Sequence, residues 1–266
     1  MTNVNQVPMT SIIFMVVSAI LCFLTPIVLM IVVRIKTKAK LMPTLVGAGI
    51  FIVFALILEQ ICHSIFLVID SPLSRFVNNN VWIYALYAGL AAGIFEETGR
   101  YVAFKFLLKK HDKKINAITY GIGHGGIEMI ILGGLSMLNA LATSIMINSQ
   151  GIEGILALVP ESAKETTKTG LESLITSQSY LYLITFEERV AAVILHVSLS
   201  VLVFVAVKNS RNKFLFPLAI ILHALIDIIA VFAQKGIISS ILVMEVIIAV
   251  FVIAVAIYAS KVYKKE

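Results

Sequence analysis

Residues 10–33 read TSIIFMVVSAILCFLTPIVLMIVV, a run of 24 residues without a charged side chain. A helix of that length rises about 36 Å, which is enough to cross a hydrocarbon core about 30 Å thick. Similar apolar runs recur along the chain, and 59% of its 266 residues are hydrophobic while only 14% are charged. Soluble globular domains carry about 25% charged residues. The sequence therefore predicts a chain embedded in a lipid bilayer.

Seven segments are long and apolar enough to span the bilayer. They cover residues 10–33, 42–69, 81–107, 115–146, 186–207, 214–233 and 238–260. Because lipid offers no hydrogen bonds to the backbone, such segments are expected to be helices. The predicted fold class is all-α, a polytopic membrane helix bundle of about seven transmembrane helices. We interpret residues 1–266 as one integral-membrane domain with a core at 81–233 and an external loop at 147–185.

The net charge of +6 indicates topology and not a nucleic-acid partner. Most of the 21 basic residues lie in four short stretches, at 34–40, 109–114, 208–213 and 261–265, each between or after apolar segments. Basic residues collect in the cytoplasmic loops of membrane proteins. The pattern predicts an N-terminus outside the cell and a cytoplasmic C-terminus.

Seven ionisable residues lie inside four of these segments at one depth. Each is 10 to 14 residues from the nearest basic stretch, which is about 15–21 Å along a helix and near the middle of the bilayer. The seven are Glu96, Glu97, His124, Glu128, His196, His223 and Asp227. Ionisable side chains inside a membrane are costly and mark functional sites. Their shared depth predicts a single buried site.

Spacing along the helices supports the same site. The pairs His124/Glu128 and His223/Asp227 each stand four residues apart, so each pair projects from one helix face. Arg100 follows the two adjacent glutamates by one helical turn, where it can pair with one of them. A buried glutamate near a histidine suits general-base chemistry. A proton- or ion-coupled transporter also places such residues at the midplane, and this alternative stays open.

The order of these motifs resembles a known family. The residues that carry the likeness are EETGR at 96–100, YGIGHGGIE at 120–128, His196, and HALID at 223–227. Together they resemble the YhfC-type intramembrane proteases, relatives of the CAAX-prenyl protease and bacteriocin-processing superfamily. The resemblance implies a multi-pass peptidase of the bacterial plasma membrane. Its partners would be the lipid bilayer and a membrane-associated peptide or protein substrate.

The resemblance also implies a role for the residues of the third and fourth segments. Glu96, aided by His124, would activate a water molecule for attack on the scissile carbonyl. Glu97 and Arg100 would orient that glutamate and balance its charge. Which of the two glutamates is the base does not follow from their spacing.

The remaining residues have roles implied in the same way. His223 and Asp227 would hold or polarise the substrate carbonyl, in the manner of an oxyanion hole. His196 and Glu128 would support the other groups. Tyr120 stands where the prenyl-protease pattern has phenylalanine, and this departure weakens any transfer of prenyl-protein specificity.

A zinc-dependent version of the same protease is the second open alternative. His124, His196 and His223 are ligand types for zinc, and a catalytic zinc needs three protein ligands and a water. The chain lacks the His-Glu-x-x-His string that usually carries such a site on a helix. The sequence therefore favours a glutamate-type mechanism without a cofactor, and it does not indicate an oligomeric state.

Overall fold

A computed structural model describes residues 5–265 of the chain. These residues are mostly helical, and no strand occurs among them. In chain order, the described helices are α1 Met9–Thr37, α2 Met42–Val68, α3 Pro72–Asn78, α4 Val81–Val102, α5 Ile115–Leu156, α6 Glu161–Thr176, α7 Leu181–Lys208, α8 Leu215–Gln234 and α9 Ile241–Lys265. The all-α fold class predicted from the sequence is confirmed.

Within residues 5–265, six helices are long and apolar enough to cross a membrane, namely α1, α2, α5, α7, α8 and α9. They coincide with six of the seven predicted segments. The remaining segment, 81–107, contains the 22-residue helix α4. This helix carries Glu96, Glu97 and Arg100, and these charged residues lower its hydropathy. The orientation of the chain in the membrane stays a prediction.

Residues 147–185, predicted as an external loop, are largely helical. Helix α5 continues to Leu156, with a break at Gly151, where φ is 73°. Glycine adopts this left-handed conformation without a steric penalty. The 16-residue helix α6 follows, and it is polar apart from residues such as the buried Leu171. The location of this segment outside the cell stays a prediction.

Four stretches of the described helices are widened into π-helical turns. They are Phe54–Glu59, Ser64–Val68, Ala103–Leu107 and Met129–Leu135. Such turns are uncommon and often lie near functional sites. Two of these turns lie close to predicted site residues. The turn at Ala103–Leu107 begins three residues after Arg100, and the turn at Met129–Leu135 begins one residue after Glu128.

The chain divides into two compact units. The first unit holds the residues up to Thr25 together with Glu128–Val190, and the second holds Pro26–Ile127 and the residues from Ala191 onwards. Helices α1, α5 and α7 contribute residues to both units. This division does not test the interpretation of the chain as one domain.

In the first unit, apolar residues from four helices form a core. Its buried residues include Met15 and Ala19 of α1, Ile147 of α5 and Leu171 of α6. The side chain of Asn148 accepts a hydrogen bond from the backbone N–H of Val7 at 2.7 Å and donates one to the carbonyl of the same residue at 3.0 Å. These bonds satisfy backbone groups that no helix satisfies.

In the second unit, helices α4 and α8 pack closely. A Cβ atom on Gly89 would lie 2.5 Å from the carbonyl oxygen of Ala224, and one on Gly93 would lie 2.7 Å from the carbonyl oxygen of Ile220. Small residues of this kind let helix backbones approach each other. The contact places the second half of α4 beside the middle of α8, where predicted site residues lie.

Candidate active site

Four helices of the second unit bring six predicted residues into one buried cluster, which we name the Glu–His cluster. It consists of Glu96, Glu97 and Arg100 from α4, His124 from α5, His196 from α7 and His223 from α8. None of these residues is more than 7% exposed. Buried ionisable groups need hydrogen bonds or opposite charges to offset the loss of water. The members of the cluster supply these partners to one another.

Glu96 stands among three histidine rings. Its Oε2 lies 2.8 Å from Nε2 of His124, and 3.9 Å from both Nδ1 of His196 and Nε2 of His223. The first distance is that of a hydrogen bond, and the other two are too long for one. One carboxylate oxygen therefore faces three imidazoles, on three different helices.

Glu97 has other partners, although it is next in sequence. Its Oε2 pairs with Nε of Arg100 at 3.0 Å, and its Oε1 lies 2.8 Å from Nδ1 of His223. Because arginine keeps its proton, it holds Glu97 as a carboxylate, and His223 donates through Nδ1. A carboxylate bound to one ring nitrogen fixes the orientation of the ring and the role of the other nitrogen. Nε2 of His223 is thus turned towards Glu96.

Arg100 joins α4 to α7. Its Nη1 donates to the backbone carbonyl of His196 at 2.7 Å and to Oγ of Ser200 at 2.6 Å, and its Nη2 lies 3.1 Å from Nδ1 of His196. Since arginine can only donate, this last contact uses the lone pair of Nδ1. Arg100 therefore fixes the ring of His196. Ser200 was not predicted, although its position four residues after His196 places it on the same helix face.

Glycine residues bring α5 and α7 together around His124. A Cβ atom on Gly121 would lie 2.5 Å from Cα of Val197, and one on Gly125 would lie 3.1 Å from Cβ of His196. Any side chain at these positions would push the two helices apart. The glycines therefore set the spacing between the two histidines, whose ring centroids are 4.8 Å apart.

Asp227 lies at the edge of the Glu–His cluster. Its Oδ2 is 3.5 Å from Nε2 of His223, and its side chain is 35% exposed, compared with 5% for His223. The i, i+4 spacing predicted this proximity. Asp227 is therefore more exposed than the buried members of the cluster.

Glu128 belongs to the first unit and has another partner there. Its Oε1 accepts a hydrogen bond from Nη1 of Arg189 at 2.7 Å, and both side chains are mostly buried. Arg189 is absent from the predicted site residues. The signal that indicates it is the presence of a basic residue near the start of the apolar segment 186–207. The supporting role predicted for Glu128 stays a prediction.

Three members of the cluster have the composition and spacing of a metal site. One ligand atom each from Glu96, His124 and His196 lies within 4.8 Å of the others. Catalytic zinc sites use three such ligands and an open fourth position. Nδ1 of His124 is buried and has no hydrogen-bond partner among residues 5–265. The donor set therefore fits zinc, with Glu96 in place of the His223 that the sequence suggested as a ligand.

Comparison with known proteins bears on the identity of this cluster. The family described as YhfC intramembrane metalloprotease matches residues 21–248, which include all six members of the cluster. The chain belongs to the YhfC intramembrane metalloprotease family. A protein of Bacillus subtilis (strain 168), described as the uncharacterized membrane protein YhfC, is 35% identical over 253 residues, which are 95% of this chain and 96% of that protein. No solved structure matches the chain significantly.

Membership of the YhfC family confirms the resemblance that the motifs carried and the interpretation as a multi-pass membrane protein. It also supports intramembrane protease activity. The family description names a metalloprotease, so it does not support the metal-free mechanism that the sequence favoured. The relation to the CAAX-prenyl protease and bacteriocin-processing superfamily stays a prediction.

Proposed function

We propose that this chain is an intramembrane metallopeptidase that hydrolyses a peptide bond of a membrane-associated peptide or protein. The observation that carries the proposal is the buried set Glu96, His124 and His196, whose ligand atoms lie within 4.8 Å of one another in a chain of the YhfC family. These three residues would hold the metal, and zinc suits their donor types. Bound zinc polarises a carbonyl and makes water nucleophilic at neutral pH.

The charges of the cluster support a bound cation. Glu97 and Arg100 form a fully buried pair at 3.0 Å and neutralise each other. Glu96 adds a second carboxylate, and its Oε2 is directed at the histidines. Positive charge stabilises a buried carboxylate. Arg100 also holds the ring and backbone of His196, so it is a positioning residue for the set.

In the proposed reaction, His223 and Asp227 would receive the substrate carbonyl. Glu97 holds Nδ1 of His223 at 2.8 Å, which leaves Nε2 of the ring 3.5 Å from Oδ2 of Asp227 and 3.9 Å from Oε2 of Glu96. A protonated imidazole in this position would donate through Nε2 to the oxyanion that develops during attack. Asp227, 3.5 Å from the same nitrogen, would balance the positive charge of the ring.

One contact favours a metal-free version as the second candidate. Nδ1 of His196 accepts a hydrogen bond from Arg100 at 3.1 Å, so this nitrogen binds a metal only after it releases Arg100. Glu96 and His124 are already paired at 2.8 Å. In this version Glu96, oriented by His124, takes the proton of the attacking water as a general base.

Metal analysis and a cleavage assay on the purified full-length chain test the proposal. We expect about one zinc ion per chain and cleavage of at least one peptide in a panel of fluorogenic transmembrane peptides. Glu96→Gln and His124→Ala should lose both properties. The matched control is His63→Ala, which removes a different intramembrane histidine, paired with Glu59 at 3.2 Å, and should retain both.

Two results would overturn parts of the proposal. Cleavage by a metal-free sample that a chelator does not inhibit would replace the metal-dependent version with the glutamate version. A wild-type chain that cleaves no peptide in the panel but moves protons or ions in proteoliposomes would refute peptidase activity. The transporter alternative would then take its place.

A further inference from the structure

The second unit contains a cavity of about 310 Å³ that the proposed reaction does not use. We name it the basic cavity. Its lining includes Lys114, just before α5, Lys208, at the end of α7, and Tyr263, near the end of α9. No member of the Glu–His cluster lines it. Its volume is within the range of small-molecule binding sites.

The lining of the basic cavity is amphipathic. Ala117, Val201, Phe204 and Val205 supply apolar surface, and all four are buried. The other lining residues are polar or charged, and Asn209 is among them. A ligand that fills this cavity needs both an apolar part and a polar part. A simple inorganic ion has no apolar part.

Two ammonium groups and the carboxylate of Asp112 line the cavity, so its net charge is positive. Nζ of Lys114 donates to the backbone carbonyl of Tyr263 at 3.0 Å. The same Nζ lies 4.8 Å from the centroid of the Tyr263 ring. Nζ of Lys208 donates to the backbone carbonyl of Lys109 at 3.1 Å and pairs with the carboxylate of Asp112. Each ammonium has three protons, so each can donate a further hydrogen bond to an anionic partner.

Within the basic cavity, Lys208 already pairs with an anionic oxygen, that of the Asp112 carboxylate. The side chain of Asp112 is 73% exposed, while that of Lys208 is 26% exposed. A pair of this kind contributes little stability, because water screens the carboxylate. An anion that contacts both lysines would displace Asp112 at small cost.

We propose that the basic cavity binds the phosphate-bearing headgroup of an anionic phospholipid. The phosphate would contact Lys114 and Lys208, while the glycerol and the first acyl carbons would lie against the apolar wall that Phe204 contributes. Basic pockets between membrane helices bind anionic headgroups, and tyrosine is common at the same depth. The proposal is independent of the proposed peptidase activity.

Thermal unfolding of the full-length chain in detergent tests the proposal. The probes are dioleoyl-phosphatidylglycerol, dioleoyl-phosphatidylcholine, glycerol phosphate and inorganic phosphate. We expect phosphatidylglycerol to raise the unfolding temperature in a saturable way and the other three to have little effect. Lys114→Gln and Lys208→Gln should each weaken phosphatidylglycerol binding about tenfold, the loss expected for one charged contact.

Two further variants make the outcome specific. Lys113→Gln removes the same charge from the neighbouring residue, which does not line the cavity, and it should bind as the wild type does. Asp112→Asn removes the competing carboxylate and should tighten binding, a gain that misfolding cannot produce. Equal stabilisation of all variants by phosphatidylglycerol would overturn the site, and an equal effect of glycerol phosphate or inorganic phosphate would overturn the lipid as its ligand.

Discussion

Glu97 and Arg100 form an ion pair with no exposed side-chain surface, at 3.0 Å between Oε2 and Nε. Removing one partner of such a pair leaves an uncompensated buried charge, which costs about 3–5 kcal/mol, whereas replacing both together costs less. We therefore expect Glu97→Gln and Arg100→Met each to lower the free energy of unfolding by about 3–5 kcal/mol. The double variant should lower it by less than the sum of the two. Denaturant unfolding in mixed micelles measures these values.

A second ion pair provides the control for this prediction. Asp70 and Arg75 pair at 3.1 Å, but their side chains are 79% and 61% exposed. Water screens the charges of such a pair, so Asp70→Asn should leave the unfolding curve unchanged. Strictly additive effects of the two buried substitutions would contradict the coupling between Glu97 and Arg100.

The residues of the cluster were predictable because each is an ionisable group within an apolar run. The division of tasks between Glu96 and Glu97 was not. Successive residues of a helix point about 100° apart, so one glutamate meets Arg100 and the other meets His124. The positions of the neighbouring helices decide which of the two glutamates meets Arg100 and which meets His124. The spacing of residues along α4 does not predict those positions.

At the scale of helices, the distance between α4 and α8 decides whether Glu97 reaches His223. A Cβ atom on Gly93 would lie 2.7 Å from the carbonyl oxygen of Ile220 and 3.2 Å from the backbone nitrogen of Ala224. These are backbone atoms, so Gly93→Ala must separate the helices. A displacement of about 1 Å can cost about 100-fold in rate, and we expect a loss of that order in the peptide-cleavage assay, in a protein that still folds.

Gly49→Ala is the matched control for that substitution. Gly49 lies inside helix α2, and apart from its chain neighbours and the backbone of its own helix no described atom would come within 4 Å of an added Cβ. Alanine favours helix more than glycine does, so this variant should be as stable as the wild type or more stable, with full activity. Equal activity of Gly93→Ala and Gly49→Ala would show that the close approach of α4 and α8 has no part in the reaction.

The helices that the sequence described least well are those outside the cluster. The segment 147–185 is predicted as an external loop between spans, and its polar centre at 160–170 is compatible with a helix. That centre belongs largely to helix α6, in which Leu171 packs into the core of the first unit. One buried face is enough to stabilise a polar helix. Hydropathy averaged over the length of a membrane span does not detect such a face.

At the scale of the whole molecule, the spans were predictable for a simple physical reason. Lipid cannot hydrogen-bond the backbone, so every long apolar run must be helical whatever its neighbours are. Helix α4 is the least apolar of the predicted spans because it carries Glu96, Glu97 and Arg100. The helix that hydropathy indicates most weakly therefore supplies half of the Glu–His cluster.

Orientation in the membrane is the prediction that concerns the whole chain. The basic stretches at 34–40, 109–114, 208–213 and 261–265 should all face the cytoplasm. A reporter that is active only outside the cell should therefore be silent when fused after residue 266 or inserted at 109–114. The same reporter inserted at 177–180, between α6 and α7, should be active. The reverse pattern would invert the topology, and it would place the basic cavity at the outer surface, because Lys114 and Lys208 belong to two of these stretches.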